Sequence, residues 1–509
     1  MKTSAALLAF LSICWISTVH AQPLPVDQLH KLADRHARVS LQECFDFFSL
    51  PNDAHYPEQL EPNIQWVEAA FGKRGFRTTR LATPTIPLVL AEWRAPAAAK
   101  TILFYMQVDG QPVDPGKWQQ PTPFTPTLKA KNVQTGQWET LSWQKLSGEI
   151  DPDWRIYARS ASDAKGPINA FLAAWDAMLE AGRKPDYHVK IILDTEEELG
   201  SPHLPEAVVQ YREQLAADYL LILDGPQHAT NKPTLVFGAR GIADLRLTTF
   251  GPKVPQHSGH YGNYAPNPAL LLSQLLSSMK DEQGKVIIPG FYDGIVISPE
   301  VEILLRQTPD DETEIRQRLG IVQPDGVGRY YQESLQYPSL NIRGMASAWV
   351  GDQVRTIVPD KAVAEIDMRL VVESDPKRLI QLVRRHIEAQ GFHLIGGDVP
   401  TDEERNRYAR LAKLEADVSY LAFRTEMTHP VGLWARKALE RAHGNLPVLI
   451  RTHGGSIPIA PFVQTLNVPA VAVPTVNPDN NQHSPNENIR LGNYFSGVRS
   501  ILSILTQPL

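Results

Sequence analysis

A mostly parallel α/β sheet domain, interrupted by an α+β insertion, is the fold predicted here, and three observations predict it. Apolar strand-like runs alternate with helical stretches over the first 230 or so residues and again after Thr425. Between them, from about Pro233, the texture shifts to alternating strands. Several apolar runs end in acidic or amide side chains beside Gly or Pro, and in open α/β sheets ligands gather at the carboxyl ends of strands. The expected organisation is a leader over 1–21, a sheet domain over 22–235 and 425–509, and an insertion over 236–424.

The leader reads as a secretory signal. Lys2 is its positive end, Ala5 to Ser17 its short apolar stretch, and Val19-His20-Ala21 its small-x-small cleavage pattern. Leu11-Ser12-Ile13-Cys14 loosely resembles a lipoprotein box, but bulky Ile13 and the early Cys14 favour simple cleavage near Ala21. The expected location is periplasmic or secreted. Helical periods run from His30 to Phe48 and from Pro57 to Phe71. A strand from Thr101 to Met106 ends at Gln107-Val108-Asp109. Ser162 to Gly182 is helical, entered through Asp163-Ala164-Lys165-Gly166. The run Val189 to Thr195 is a strand leading to Glu197-Glu198-Leu199-Gly200, and Asp218 to Leu223 is another, ending at Asp224-Gly225-Pro226.

In the insertion, strands are expected at 234–238, 243–250 and 363–372, and helices at 266–280 and 376–390. The α/β pattern resumes with a helix at 431–442, a Gly454-Gly455 turn and a strand at 468–473. It then passes Asn477 to His483 and ends in a helix at 493–505.

Composition excludes several classes. A formal charge of -6 leaves no footprint for nucleic acid. No later segment reaches the roughly 18 uninterrupted apolar residues of a membrane span. Two cysteines, one of them in the leader, exclude a disulfide framework and a cysteine-rich zinc site. Any metal is therefore held by His, Asp, Glu or neutral oxygen. Paired carboxylates at a strand end suit metal-assisted hydrolysis, one binding a cation and the other moving a proton. Taken alone, Glu197-Glu198 reads as a solvated pair, Asp224 as a turn former and His483 as a surface residue. Their company changes that.

Asp109 with Pro112, Arg159 to Gly166, Glu197 to Ser201, Asp224, His257-Ser258-Gly259, Gly454 to Pro458 and His483-Ser484 run in one order along the chain. That order resembles the co-catalytic metallopeptidase family that includes carnosinase, aminoacylase and succinyl-diaminopimelate desuccinylase. The resemblance implies a metallopeptidase catalytic domain with an inserted lid or dimerisation domain, and a metal-dependent amide hydrolase. Asp163 would bridge two cations, a spacing of about 3.5–4 Å in such sites. Glu198 and His483 would complete one metal site and Asp224 the other. Glu197 would be the general base acting on a metal-activated water, and Asp109 would orient a ligand.

The chain departs from the pattern at Gln107, where the family has a metal-binding His. An amide oxygen suits zinc less than imidazole does. One or two Zn²⁺ ions are implied, with Mn²⁺ or another oxygen-preferring ion gaining ground at the Gln107 site. Gln107 is open to three readings: weak ligand, hydrogen-bond donor near the site, or mark of lost activity.

In the insertion the resemblance assigns His257 to polarising the scissile carbonyl, often across a dimer, and Arg369 to clamping a substrate carboxylate. Thr356 and Asn341 are further candidates for that pocket, as are Gly454, Gly455 and Ser456 with their N–H groups and hydroxyl. Taken without the resemblance, His257 and Arg369 read equally well as structural. Asp at position 224 tends, in the family, toward dipeptidases and aminopeptidases. The expected activity is cleavage of dipeptides or short peptides. An N-acyl amino acid deacylase and a non-catalytic peptide-binding protein stay open beside it.

Overall fold

The computed structural model describes residues 23–96 and 98–509. The leader, with its cleavage site, lies outside them. Cys44 is buried, as a small apolar side chain would be. No helix among the described residues is long and apolar enough to cross a membrane.

The larger sheet has eight strands, in the order 77–81, 88–93, 188–194, 101–107, 219–222, 470–472, 234–236 and 448–450. Its central four strands, from 188–194 to 470–472, run parallel. They are β-branched and leucine-rich runs buried on both faces, as parallel strands must be. The helices Val26–Val39, Lys165–Glu180, Pro430–His443 and Leu491–Leu505 cover one face in one apolar core. Leu204–Gln210 and Ala460–Leu466 cover the other.

The insertion is built on a five-stranded sheet ordered 339–346, 361–370, 241–250, 411–420 and 393–394, with its own core against the helices Pro268–Ser277 and Pro376–Ala389. The chain passes between the two sheets at Gly238–Ala239 and Phe423–Arg424, which pair with each other.

Four expectations need adjusting. The strand expected at 234–238 in the insertion is instead Thr234–Val236 of the larger sheet, because it pairs with Val448–Ile450 and Ala472 there. The period over His30 to Phe48 is two helices, Val26–Val39 and Leu41–Phe48, because Ser40 turns its hydroxyl back to the Ala37 carbonyl and to Tyr494. The helix expected from Ser162 starts at Lys165, because the preceding loop is held by side-chain hydrogen bonds instead. A four-stranded sheet of Asn488–Arg490, Arg155–Tyr157, Thr127–Lys131 and Trp138–Thr140 was not foreseen.

Candidate active site

The parallel strands set the site by ending side by side. Gln107 stands opposite Asp194, and the Val108 N–H donates to the Asp194 carbonyl at 2.8 Å. Beyond Asp194 the chain makes a 3₁₀ turn, Glu197–Leu199, closed by Gly200 at φ 86°. Gly200 is required twice over: the left-handed φ disfavours a side chain, and a Cβ would lie 2.9 Å from the Tyr420 hydroxyl. Buried Asp109 fastens this turn to its neighbour strand. One oxygen accepts the Glu197 N–H at 3.1 Å, the other the Glu198 N–H at 2.9 Å. Asp194 braces the turn from beneath, accepting Tyr105 and Ser201 hydroxyls at 2.9 and 2.6 Å.

Asp163, Glu198 and His483 bring one ligand atom each within 4.8 Å of one another. His483 Nε2 is 3.0 Å from Asp163 Oδ2 and 3.4 Å from Glu198 Oε2. Gln111 Nε2 donates to Glu198 Oε2 at 2.7 Å. Asp163 also lines, with Glu197, Asp224 and His483, a cleft of about 320 Å³. Arg369, His453, Gly455 and Ser456 line the same cleft. Arg369 donates to Ser456 Oγ at 2.9 Å and lies 3.5 Å from Asp367, which in turn accepts from Asn341 at 2.8 Å.

His257 and Thr356 are elsewhere. They are exposed and share a two-stranded ribbon of the insertion, where the Ser258 N–H donates to the Thr356 carbonyl. Neither lines the cleft of this chain. Gln107 is buried, and its Nε2 donates to Asp163 Oδ1 at 2.9 Å, while its Oε1 has no partner. The amide nitrogen thus occupies Asp163 Oδ1, while His483 faces Oδ2.

Sequence reasoning passed over Glu487. It is fully buried and holds the loop that presents Asp163. It pairs with Arg159 at 2.7 Å and accepts the N–H groups of Ser160, Ser162 and Asp163 at 3.0, 2.9 and 2.9 Å. A Glu in an Asn-Pro-rich stretch looks solvated. The signal was available only in its proximity to His483.

The electrostatics call for a cation. Burial first, then the carboxylates of Asp224, Glu198 and Asp163, push Glu197 well above the usual carboxylate range. Burial, then Asp163, lifts Glu198 to about 8 and Asp224 to about 7. The hydrogen bond to Asp163 raises His483 to about 9. Acids this crowded hold protons unless a metal ion takes their place. Two carboxylates and an imidazole fit one divalent cation, and Asp163, Glu198 and His483 would hold it.

A pH dependence follows. The folded cluster binds more protons than the unfolded chain, so its contribution to stability is present at low pH and lost as pH rises through these values. The metal-free protein is expected to lose several degrees of melting temperature from about pH 6 to about pH 9. The metal-loaded protein should be far flatter, and metal binding at neutral pH should release protons, read by titration calorimetry in two buffers. A flat metal-free profile would contradict the cluster as described.

Residues 104–507 match Peptidase family M20/M25/M40. The chain is 26% identical over 425 residues to the Cys-Gly metallodipeptidase dug1 of Schizosaccharomyces pombe, covering 82% of this chain and 81% of the relative. It is 26% identical over 525 residues to the Homo sapiens Beta-Ala-His dipeptidase, covering 98% and 96%. The fold is similar to that of an M20 family metallo-carboxypeptidase from Sulfolobus solfataricus, with a TM-score of 0.75, 25% identity, and 92% and 98% of the two chains covered. By a match that takes in most of its length, the chain belongs to peptidase family M20/M25/M40, and it is a metal-dependent hydrolase.

Proposed function

We propose that this chain is an exported dipeptidase that works with one tightly held Zn²⁺. The carrying observation is a single cleft lined by Asp163 and His483 of the three-ligand cluster, by Glu197, and by the Arg369–Ser456 pair. A substrate carboxylate held by Arg369 and Ser456 restricts the cleft to short peptides with a free C-terminus. The Schizosaccharomyces and human relatives, both dipeptidases, support this reading.

Asp163, Glu198 and His483 would hold a divalent cation, which would supply Lewis-acid chemistry when bound. Glu197 takes a proton from water in the cleft and passes it to the leaving amine. Arg369 and Ser456 hold the substrate carboxylate, while the Gly455 N–H, expected to help them, donates to His453 Nδ1 at 3.1 Å instead. Asp109 keeps Glu197 and Glu198 in register with Asp163.

The test is turnover of free and N-acylated dipeptides by mature protein stripped of metal and reloaded with Zn²⁺ or Mn²⁺. Release from free dipeptides alone is expected. Release from acylated substrates alone would favour a deacylase, and binding without turnover in any ion a non-catalytic protein. Export is supported by the leader's composition, and an N-terminus at Gln22 on secreted material would bear it out.

Metal stoichiometry tests the Gln107 position. The wild-type chain is expected to keep one zinc after dialysis and Gln107→His two, by elemental analysis. Two tight zincs in the wild type would overturn the single-ion reading.

A homodimer through the insertion is the remaining element. Its edge strand Ser339–Ala346 exposes Ile342 and Met345, with Trp349 and Val350 following. His257, outside its own cleft, would then serve a partner's. A monomer with full activity at working concentration would rule out that cross-subunit role.

A further inference from the structure

A second cavity, of about 310 Å³, lies inside the insertion. Its walls are largely carbon, from Val286, Ile315, Leu319, Leu340 and the rings of Tyr292 and Tyr331. Arg240 and Ser339 place it against the catalytic cleft. Ser339 pairs with Arg369 across the sheet, and Arg240 follows Ala239, which lines the cleft.

Arg240 is the anomaly in this wall. It is only 8% exposed. One guanidinium nitrogen donates to the Tyr337 carbonyl at 2.7 Å, and Nε has no partner. Among the described residues no carboxylate lies within ion-pair distance of it. Burial, then the nearby Arg369, lowers it to about 10. Asp367 attracts it only from beyond ion-pair distance, and a buried charge without a directly paired counter-charge is costly and is rarely left so. The other basic groups of the wall are each matched: Lys280 with Asp325, Arg316 with Glu312, and Arg329 with Glu302 and Glu333. The buried Tyr330 hydroxyl, on the same lining, also has no partner.

We propose that this cavity binds an organic carboxylate with an apolar or aromatic body, the carboxylate against Arg240 and the body among Tyr292, Tyr331 and Leu340. That chemistry has two sources: an acidic side chain of a bound peptide whose C-terminus is held at Arg369, or a free organic acid. The first rests on the dipeptidase reading; the second does not.

The experiment is calorimetric titration of the full chain with phenylacetate and with phenylacetamide. Saturable binding of the acid, at least tenfold tighter than the amide, is expected. Arg240→Met should weaken it at least tenfold, and Arg369→Met should leave it within twofold. Arg240→Lys and Tyr330→Phe, should Arg240→Met not fold, are expected to weaken it severalfold. No saturable binding, equal binding of acid and amide, full affinity without Arg240, or loss confined to Arg369→Met would overturn the proposal. In the active enzyme, competitive inhibition of dipeptide hydrolysis by phenylacetate identifies the peptide source, and non-competitive inhibition the free acid. Binding by a chain that hydrolyses no dipeptide would uphold the cavity while removing the dipeptidase reading.

Discussion

Glu197→Ala is expected to lower kcat by about 10²–10⁴-fold, the usual contribution of a general base, while metal content stays at the wild-type level. The separation rests on position. Glu197 lines the cleft, but the three-ligand cluster is made of Asp163, Glu198 and His483. Its carboxylate lines the cleft beside the cluster without being one of the three ligands, which suits a group that must accept a proton from water. Arg369 and Ser456 are untouched by the change, so KM should move little. Steady-state kinetics on a free dipeptide, with elemental analysis of the same preparation, checks both halves. Loss of metal together with activity would make Glu197 a ligand rather than a base.

The strands that deliver this site were legible because burial on both faces writes itself as an apolar run. Thr101–Gln107, His188–Asp194 and Tyr219–Ile222 lie within a residue or two of the expected ranges. The acidic groups that follow them are local features too. What escaped depends on distant parts of the chain. Arg155–Tyr157 finds its partner in Asn488–Arg490, and Trp138–Thr140 is too short and polar to show a period. The loop before Lys165 looks helical in composition. Its N–H groups instead go to Glu487, more than three hundred positions away. Gln107 showed where the metal site differs. That the Gln107 amide nitrogen meets Asp163 is a contact between residues 56 positions apart, beyond local pattern.

Glu487→Ala carries the second large effect, and it separates support of the site from the fold's general stability. Removing one member of a buried ion pair costs about 3–5 kcal/mol, because the other charge stays buried. Here Arg159 would be stranded at 3% exposure, and the N–H groups of Ser160, Ser162 and Asp163 would lose their acceptor. Denaturant unfolding should fall by that amount, and metal affinity should fall with it, since Asp163 is the last residue of the loop so held. Glu487→Gln keeps one acceptor oxygen and should sit between. The decisive variant replaces the pair together, Arg159→Met with Glu487→Leu. Apolar replacement of a buried pair is often neutral or better, so much of the lost stability should return. The three N–H groups remain without an acceptor, so metal affinity should not return. If affinity recovers in step with stability, Glu487 serves the fold alone. If it stays low in a stable protein, the carboxylate is what holds Asp163 where a cation can be bound.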